Sequence, residues 1–303
     1  MSDEYEFLTL LRSRIVHDGA RGLMDDVAVL PLGETRLVLT SDTIVEGVHY
    51  LPADPPADIG WKLAAVNLSD LAAKGARPVG CMLNYALSGD AAWDAAFLGG
   101  LHDMLDRHAM PLLGGDTVKM PAGSARSYSL TAMGESRGVV PSRAGAQAGD
   151  RLYVTGPVGD AGIGLDLARA DPAASGPLVD AYRRPRPRLS EGMLLAPVVS
   201  AMMDLSDGLL IDAARMAQAS QVAITIDHVP LSPALEKARG ASTAVQMAAA
   251  RAGDDYELLF TLPRGVAPPV RAIPIGHVSS GAGLTLMIDG AAMPLPERLG
   301  WEH

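Results

Sequence analysis

Two stretches of this chain set Leu-Ser-Asp inside otherwise apolar, helix-prone sequence, VNLSDLAAKGA at 66–76 and MDLSDGLLIDA at 203–213. A carboxylate in such surroundings costs free energy unless a partner offsets its desolvation. Further acids share the setting: MDDVAVL (Asp25, Asp26), LTSDTIVEGVHY (Asp42) and LLGGDT (Asp116) join Asp70, Asp204 and Asp207 at the edges of apolar elements. Each alone has an ordinary alternative. Asp42 and Asp116 read as turn formers at strand ends, and Asp204 or Asp207 as a cap on the helix that follows. Asp70 fits no cap, because it falls mid-helix with Asn67 one turn earlier and Lys74, four residues on, as its only nearby cation. An exposed pair of that kind is worth about 0.3–0.5 kcal/mol, too little to offset a buried carboxylate. A divalent cation is enough.

Magnesium takes hard oxygen ligands and bridges carboxylates to substrate phosphates. Small neighbours (Gly114, Gly115, Ser69, Ser206, Gly208) leave room for metal and phosphate to approach the backbone. No EF-hand loop and no H-E-x-x-H motif occurs, which excludes those calcium and zinc chemistries. TGPVGDAGIG at 155–164 lacks the G-K-[ST] ending of a phosphate-binding P-loop, and reads as a closely packed strand-to-helix turn.

The elements that must position these acids are mixed α/β. Strands are expected at 36–41, 79–87 and 127–134, and helical spacing covers 58–75 and 91–109. SRGVVPSRAGAQAGD at 136–150 reads as a crossover, dividing the chain into domains 1–140 and 141–303. The second half opens on the strand RLYVTG, followed by a helix after Gly159, the segment YRRPRPRL at 182–189, a helix over about 208–220, the strand VAITID, a helix near 242–251 and the strand YELLFTL. The prolines and four arginines of YRRPRPRL read as a solvated linker.

Composition bounds the function. A chain of 303 residues with 48% hydrophobic residues can bury a real core, and a formal charge of −10 argues against a nucleic-acid or anionic-membrane surface. No apolar run approaches bilayer-spanning length and the N-terminus is no signal peptide, so the expected location is cytoplasmic. The single cysteine, Cys81, lies in a strand pattern and is expected buried and inert.

In order, DD-x-A-x-L, TSDTIVEGVHY, AVNLSDLAAKGA, GGDT, PSRAGAQAGD, DLSDGL and GDDYELLF resemble the thiamine-monophosphate kinases, within the aminoimidazole ribonucleotide synthetase superfamily, from Asp25 to Trp301. The resemblance implies a two-domain α/β (α+β) fold whose N-terminal sheets pair across a homodimer, with a C-terminal α/β domain completing the site. It implies several Mg²⁺ ions, ATP as co-substrate and thiamine monophosphate as acceptor, and leaves a monovalent cation open. Asp26, Thr40, Ser41, Asp42, Asp70, Asp116, Asp204 and Asp207 would form the metal shell. Gly115, Asp116, Arg143 and Ser206 would meet ATP, while His49, Asp254 and Trp301 would meet the acceptor. Two positions depart from the family pattern: Met24 replaces the usual glycine before the first aspartate pair, and Asp254 replaces a glutamate.

The expected activity is therefore direct, in-line phosphorylation of thiamine monophosphate, with Asp42, Asp70, Asp116 and Asp207 nearest the chemistry. Rival readings are a purine-precursor cyclising synthetase of the same superfamily, a water-accepting hydrolase, and a non-catalytic nucleotide- or metal-binding regulator. A selenide-activating kinase is excluded by the missing N-terminal cysteine.

Overall fold

The structure, a computed structural model, describes residues 3–121 and 123–302. Helix α1 (Asp3–Arg12) and a 3-10 turn (Asp18–Leu23) lead into β1 (Ala28–Leu32) and β2 (Thr35–Val45). Then follow α2 (Pro56–Ala73), β3 (Arg77–Leu87), α3 (Ala91–Arg107), β4 (Leu112–Lys119) and β5 (Ser127–Ser136). The five strands form one sheet in the order β1-β2-β5-β3-β4, antiparallel except where β3 and β4, joined through α3, run parallel.

The second half builds a seven-stranded sheet. Its elements are β6 (Arg151–Val154), α4 (Asp160–Ala170), α5 (Pro177–Arg183), α6 (Leu189–Leu195), β7 (Ala201–Asp204), α7 (Leu209–Ser220) and β8 (Ala223–Ile226). They continue with α8 (Pro233–Arg239), α9 (Thr243–Arg251), β9 (Leu258–Leu262), β10 (Ile273–Ser279), β11 (Gly283–Ile288) and β12 (Ala291–Met293). The strand order is β12-β11-β8-β10-β6-β9-β7. No helix among the described residues is long and apolar enough to cross a membrane.

Helix α2 positions the site. It is buried from Ile59 to Ala73, on all sides, and packs on β2, β5, α3, α6 and β7. An all-round apolar helix belongs in an interior, and WKLAAVNLSDLAA has that character. Two glycines let α3 close on it: a Cβ at Gly100 would stand 1.7 Å from the Ala57 carbonyl oxygen, and one at Gly60 would stand 2.1 Å from that of Phe97.

The other face of the first sheet is open. Along β2, Val38, Thr40 and Ile44 face α2 while Ser41 and Thr43 are exposed, the alternation that strand geometry imposes. Ser41 and Thr43 hydrogen-bond across to Thr131 and Ser129 of β5 on that open face.

Three expectations change. Asp42 and Asp116 do not end strands: β2 continues to Val45 and β4 to Lys119. Neither Asp204 nor Asp207 caps α7, whose start is Gly208 with no side-chain cap. The segment 182–189 is no solvated linker, since Tyr182, Arg183, Pro185, Pro187 and Leu189 are buried and Arg186 alone of the segment is exposed. Arg183 pairs with Asp54 at 2.8 Å, Arg184 with Asp58 at 2.5 Å, and the Trp61 indole donates to the Pro185 carbonyl at 2.9 Å. Arg183 and Arg184 thus meet carboxylates of the first half, and Arg188 meets Glu257 of the second. Cys81 is buried, as expected, and burial pushes its thiol up to about 11.

Substituting Gly100→Ala should force α3 off α2 and cost about 1–3 kcal/mol, an overpacking penalty. Urea denaturation measures it; an unchanged midpoint would mean the two backbones are not held in contact.

Candidate active site

Asp70 stands three-quarters along α2 with its carboxylate turned toward β2 and β7. Asp26 comes from the loop before β1 and Asp204 from the end of β7. One oxygen from each of Asp26, Asp70 and Asp204 lies within 4.8 Å of the others. The Thr40 hydroxyl donates to Asp70, and Asp42 is a charged neighbour of Asp70 as well. The first LSD motif meets the residue that precedes the second: the Ser69 hydroxyl donates to Asp204 at 2.6 Å.

Four carboxylates this close repel one another, and burial disfavours their charge further. Burial, then the neighbouring Asp42, Asp204 and Asp26, push Asp70 well above the usual carboxylate range. Burial pushes Asp204 up to about 8, with Asp26 adding to it, and Asp42 up to about 6. Asp25 goes the other way: burial opposes its ionisation, but Lys74 and Arg21 prevail and lower it. Lys74 is not Asp70's partner, contrary to the i,i+4 reading. Its ammonium, fully buried, reaches Asp25 at 2.5 Å and stands 3.6 Å from Asp26.

The acids floor a cavity of about 520 Å³ between the two halves. Asp207, Ser206, His49, Asp254 and Trp301 also line it, with Ile44, Val48 and Leu165 as apolar wall. Asp207 is paired with Arg215. Arg143 reaches the cluster from the loop after β5 and pairs with Asp26. The His49 Nδ1 accepts from the Val45 N–H at 3.1 Å, which leaves Nε2 to carry the proton of a neutral ring.

The structure does not bring Ser41, Gly115 or Asp116 into that cavity. The Ser41 hydroxyl lies on the open face of the sheet. Asp42 is in register with Leu130, Leu83 and Gly115 across β2, β5, β3 and β4, so three strand spacings, about 14 Å, separate it from the GGDT strand.

Two buried charged groups beside the cavity residues escaped sequence reasoning. Lys62, buried on α2, donates to Asp254 Oδ2 at 2.7 Å. Asp212, buried on α7, accepts from the Asp207 and Gly208 N–H groups and meets Arg215 at 3.0 Å, although burial and Asp207 raise it to about 7. An aspartate within the apolar run LLIDAARM was the available signal. Met24, by contrast, has φ −104°, open to any residue, so the missing family glycine costs the turn nothing.

Residues 24–136 match the family model for the AIR synthase related protein, N-terminal domain, and residues 147–289 that for its C-terminal domain. The thiamine-monophosphate kinase of Escherichia coli (strain K12) is 36% identical over 302 residues, covering 93% of this chain and 91% of the relative. That of Caulobacter vibrioides is 34% identical over 304 residues, covering 94% and 85%. Among solved structures, AaThiL complexed with AMPPCP and TMP superposes with a TM-score of 0.84 at 30% identity, over 98% of this chain and 94% of that one. Thiamine-monophosphate kinase from Stenotrophomonas maltophilia K279a gives 0.78 at 37% identity, over 96% of each. The hydrogenase maturation protein HypE in complex with ATP, at 19% identity and 0.71, shares the fold alone. With both halves matched and relatives above 30% identity along nearly the whole chain, this protein belongs to the thiamine-monophosphate kinase family of AIR-synthase-related proteins.

Proposed function

We propose that the chain transfers the γ-phosphoryl group of ATP to the phosphate of thiamine monophosphate, giving thiamine diphosphate and ADP. The observation that carries it is the Asp26, Asp70 and Asp204 cluster at the floor of a cavity lined by His49, Asp254 and Trp301. An acceptor phosphate oxygen forms the new bond to the γ-phosphorus as the bond to the β,γ-bridging oxygen breaks. The acceptor is already ionised at neutral pH, so positioning and charge neutralisation suffice without a base or a covalent intermediate.

The donor set fits Mg²⁺. Asp26 Oδ2 is buried without a hydrogen-bond donor, and the crowded carboxylates around it have too few cations of their own. Asp26, Asp42, Asp70 and Asp204 would hold the metal, with Thr40 orienting Asp70 and Asp207 at the margin; when bound it supplies the positive charge between carboxylates and phosphates. Arg143 keeps a buried Nε–H without an acceptor, a donor that a nucleotide phosphate oxygen would satisfy. Ser206 lines the same cavity. His49, Asp254 and Trp301 orient the acceptor by hydrogen bond, charge and ring contact.

We divide the chain into domains at 140, between β5 and β6, and assign it a homodimeric state through the first sheet. The exposed apolar side chains of Val79, Met82, Leu113 and Val118 on β3 and β4 support that assignment. In a dimer, Gly115 and Asp116 serve a nucleotide site completed by a second copy, which reconciles their place with the family motif. Neither nucleic acid nor membrane is a partner in this reading.

Three outcomes test it. Asp70→Asn should lower kcat at least 100-fold while keeping the fold, measured by thiamine diphosphate formation; undiminished kcat at limiting Mg²⁺ would remove Asp70 from the metal set. Without divalent cation, the native state holds protons on Asp42, Asp70 and Asp204 that the unfolded chain has released, so stability should fall as pH rises from about 4 to 8. Mg²⁺ should then raise the Tm more at pH 8 than at pH 5; a Tm that rises with pH in chelator would contradict the crowded-carboxylate site. Mixing Asp116→Asn with Asp70→Asn subunits, after dissociation and reassociation, should recover part of the activity if sites are shared, and none if each copy works alone.

A further inference from the structure

Lys62 has no part in the metal site and no counterpart in the motifs that point to the family. Its side chain is 2% exposed, a costly place for an ammonium. Its Nζ donates to Asp254 Oδ2 at 2.7 Å and to the His49 carbonyl at 2.9 Å, and stands 4.4 Å from the centre of the Tyr182 ring. Asp254 is held from other directions too. The Tyr256 hydroxyl donates to its Oδ1 at 3.0 Å, and its own N–H donates to the Ser206 carbonyl at 2.8 Å. Its φ of 68° is left-handed, a strained setting for aspartate that persists only where surrounding contacts over-determine it.

The segment 182–189 closes the far side of the ammonium. The Tyr182 hydroxyl donates to Asp54 Oδ2 at 2.7 Å and accepts the Leu51 N–H at 3.1 Å, while Arg183 pairs with Asp54 Oδ1. These bonds fix the loop that carries His49. One cation thus joins a carboxylate of the second half to a loop of the first, under an aromatic cover.

We propose that Lys62 is a positioning residue for the acceptor, holding the Asp254 carboxylate and the His49 loop at the fixed separation that the thiamine monophosphate head requires. This rests on the acceptor reading above. Lys62 acts through Asp254, which keeps 27% of its side chain exposed and lines the cavity, whereas Lys62 is not among the lining residues.

Calorimetric titration of the full-length protein tests it, with thiamine monophosphate in one series and a non-hydrolysable ATP analogue plus Mg²⁺ in the other. Lys62→Met, which keeps length and removes charge, should weaken acceptor binding at least tenfold and change nucleotide binding less than twofold. The double variant with Asp254→Asn should bind acceptor no more weakly than Asp254→Asn alone, since both changes break one linkage. Should Lys62→Met not fold, that comparison still decides, because the double variant buries no unpaired charge. Multiplying losses in the double variant, or equal losses for acceptor and nucleotide, would overturn the positioning role. A wild-type protein that binds no thiamine monophosphate would overturn the acceptor reading with it.

Discussion

A helix buried on every side must satisfy the polar side chains it buries, and α2 with its C-cap Lys74 buries five polar or charged residues. Lys62, Asn67, Ser69, Asp70 and Lys74 are all buried, and all find partners on different segments. Lys62 meets Asp254, Asn67 accepts the Asp42 N–H, Ser69 donates to Asp204, Asp70 accepts from Thr40, and Lys74 pairs with Asp25. An unsatisfied buried group costs about 1–3 kcal/mol, more when charged, so each partner is held in place by the helix as much as it holds the helix. The site is the set of those partners.

The same constraint sets the site's electrostatics. Lys74 and Arg21 neutralise Asp25, and Arg143 faces Asp26, but no cation among the described residues forms an ion pair with Asp70 or Asp42. Positive charge stands beside Asp25 and Asp26, where it keeps the loop before β1 folded, and leaves Asp70 and Asp42 uncompensated. A protein seeking only stability would replace such crowded acids with apolar side chains. Keeping them leaves a deficit of positive charge that a ligand can fill.

Much of this was legible in the residues. Asp70 announced itself because an acid in mid-helix among leucines has no local use, and the motif order gave the family and the two-domain α/β fold. Ser41 and Asp42 are adjacent, so the period of two already placed their side chains on opposite faces, and only one could join the cluster. Asp116 was beyond reach, because strand order is not written locally and β4 pairs with β3 rather than β2. Lys62 hid in an apolar helix as an ordinary amphipathic residue, and YRRPRPRL looked solvated because its partners, Asp54, Asp58 and Trp61, lie more than 120 residues away. In both cases burial came from tertiary contacts.

Those long separations bear on the order in which the protein can be built. Trp61, Ser69 and Lys74 reach partners 124, 135 and 128 residues downstream. Translation at about 5–20 residues per second means α2 leaves the ribosome roughly 6 to 27 seconds before those partners exist. During that interval the first sheet can form, since β1 through β5 pair among themselves, yet its central helix presents a side studded with unpartnered polar groups and apolar surface. The nascent N-terminal half is therefore an open intermediate by construction, and closure onto α6 and β7 is a late event of high contact order. Assembly of the site and completion of the core coincide in time.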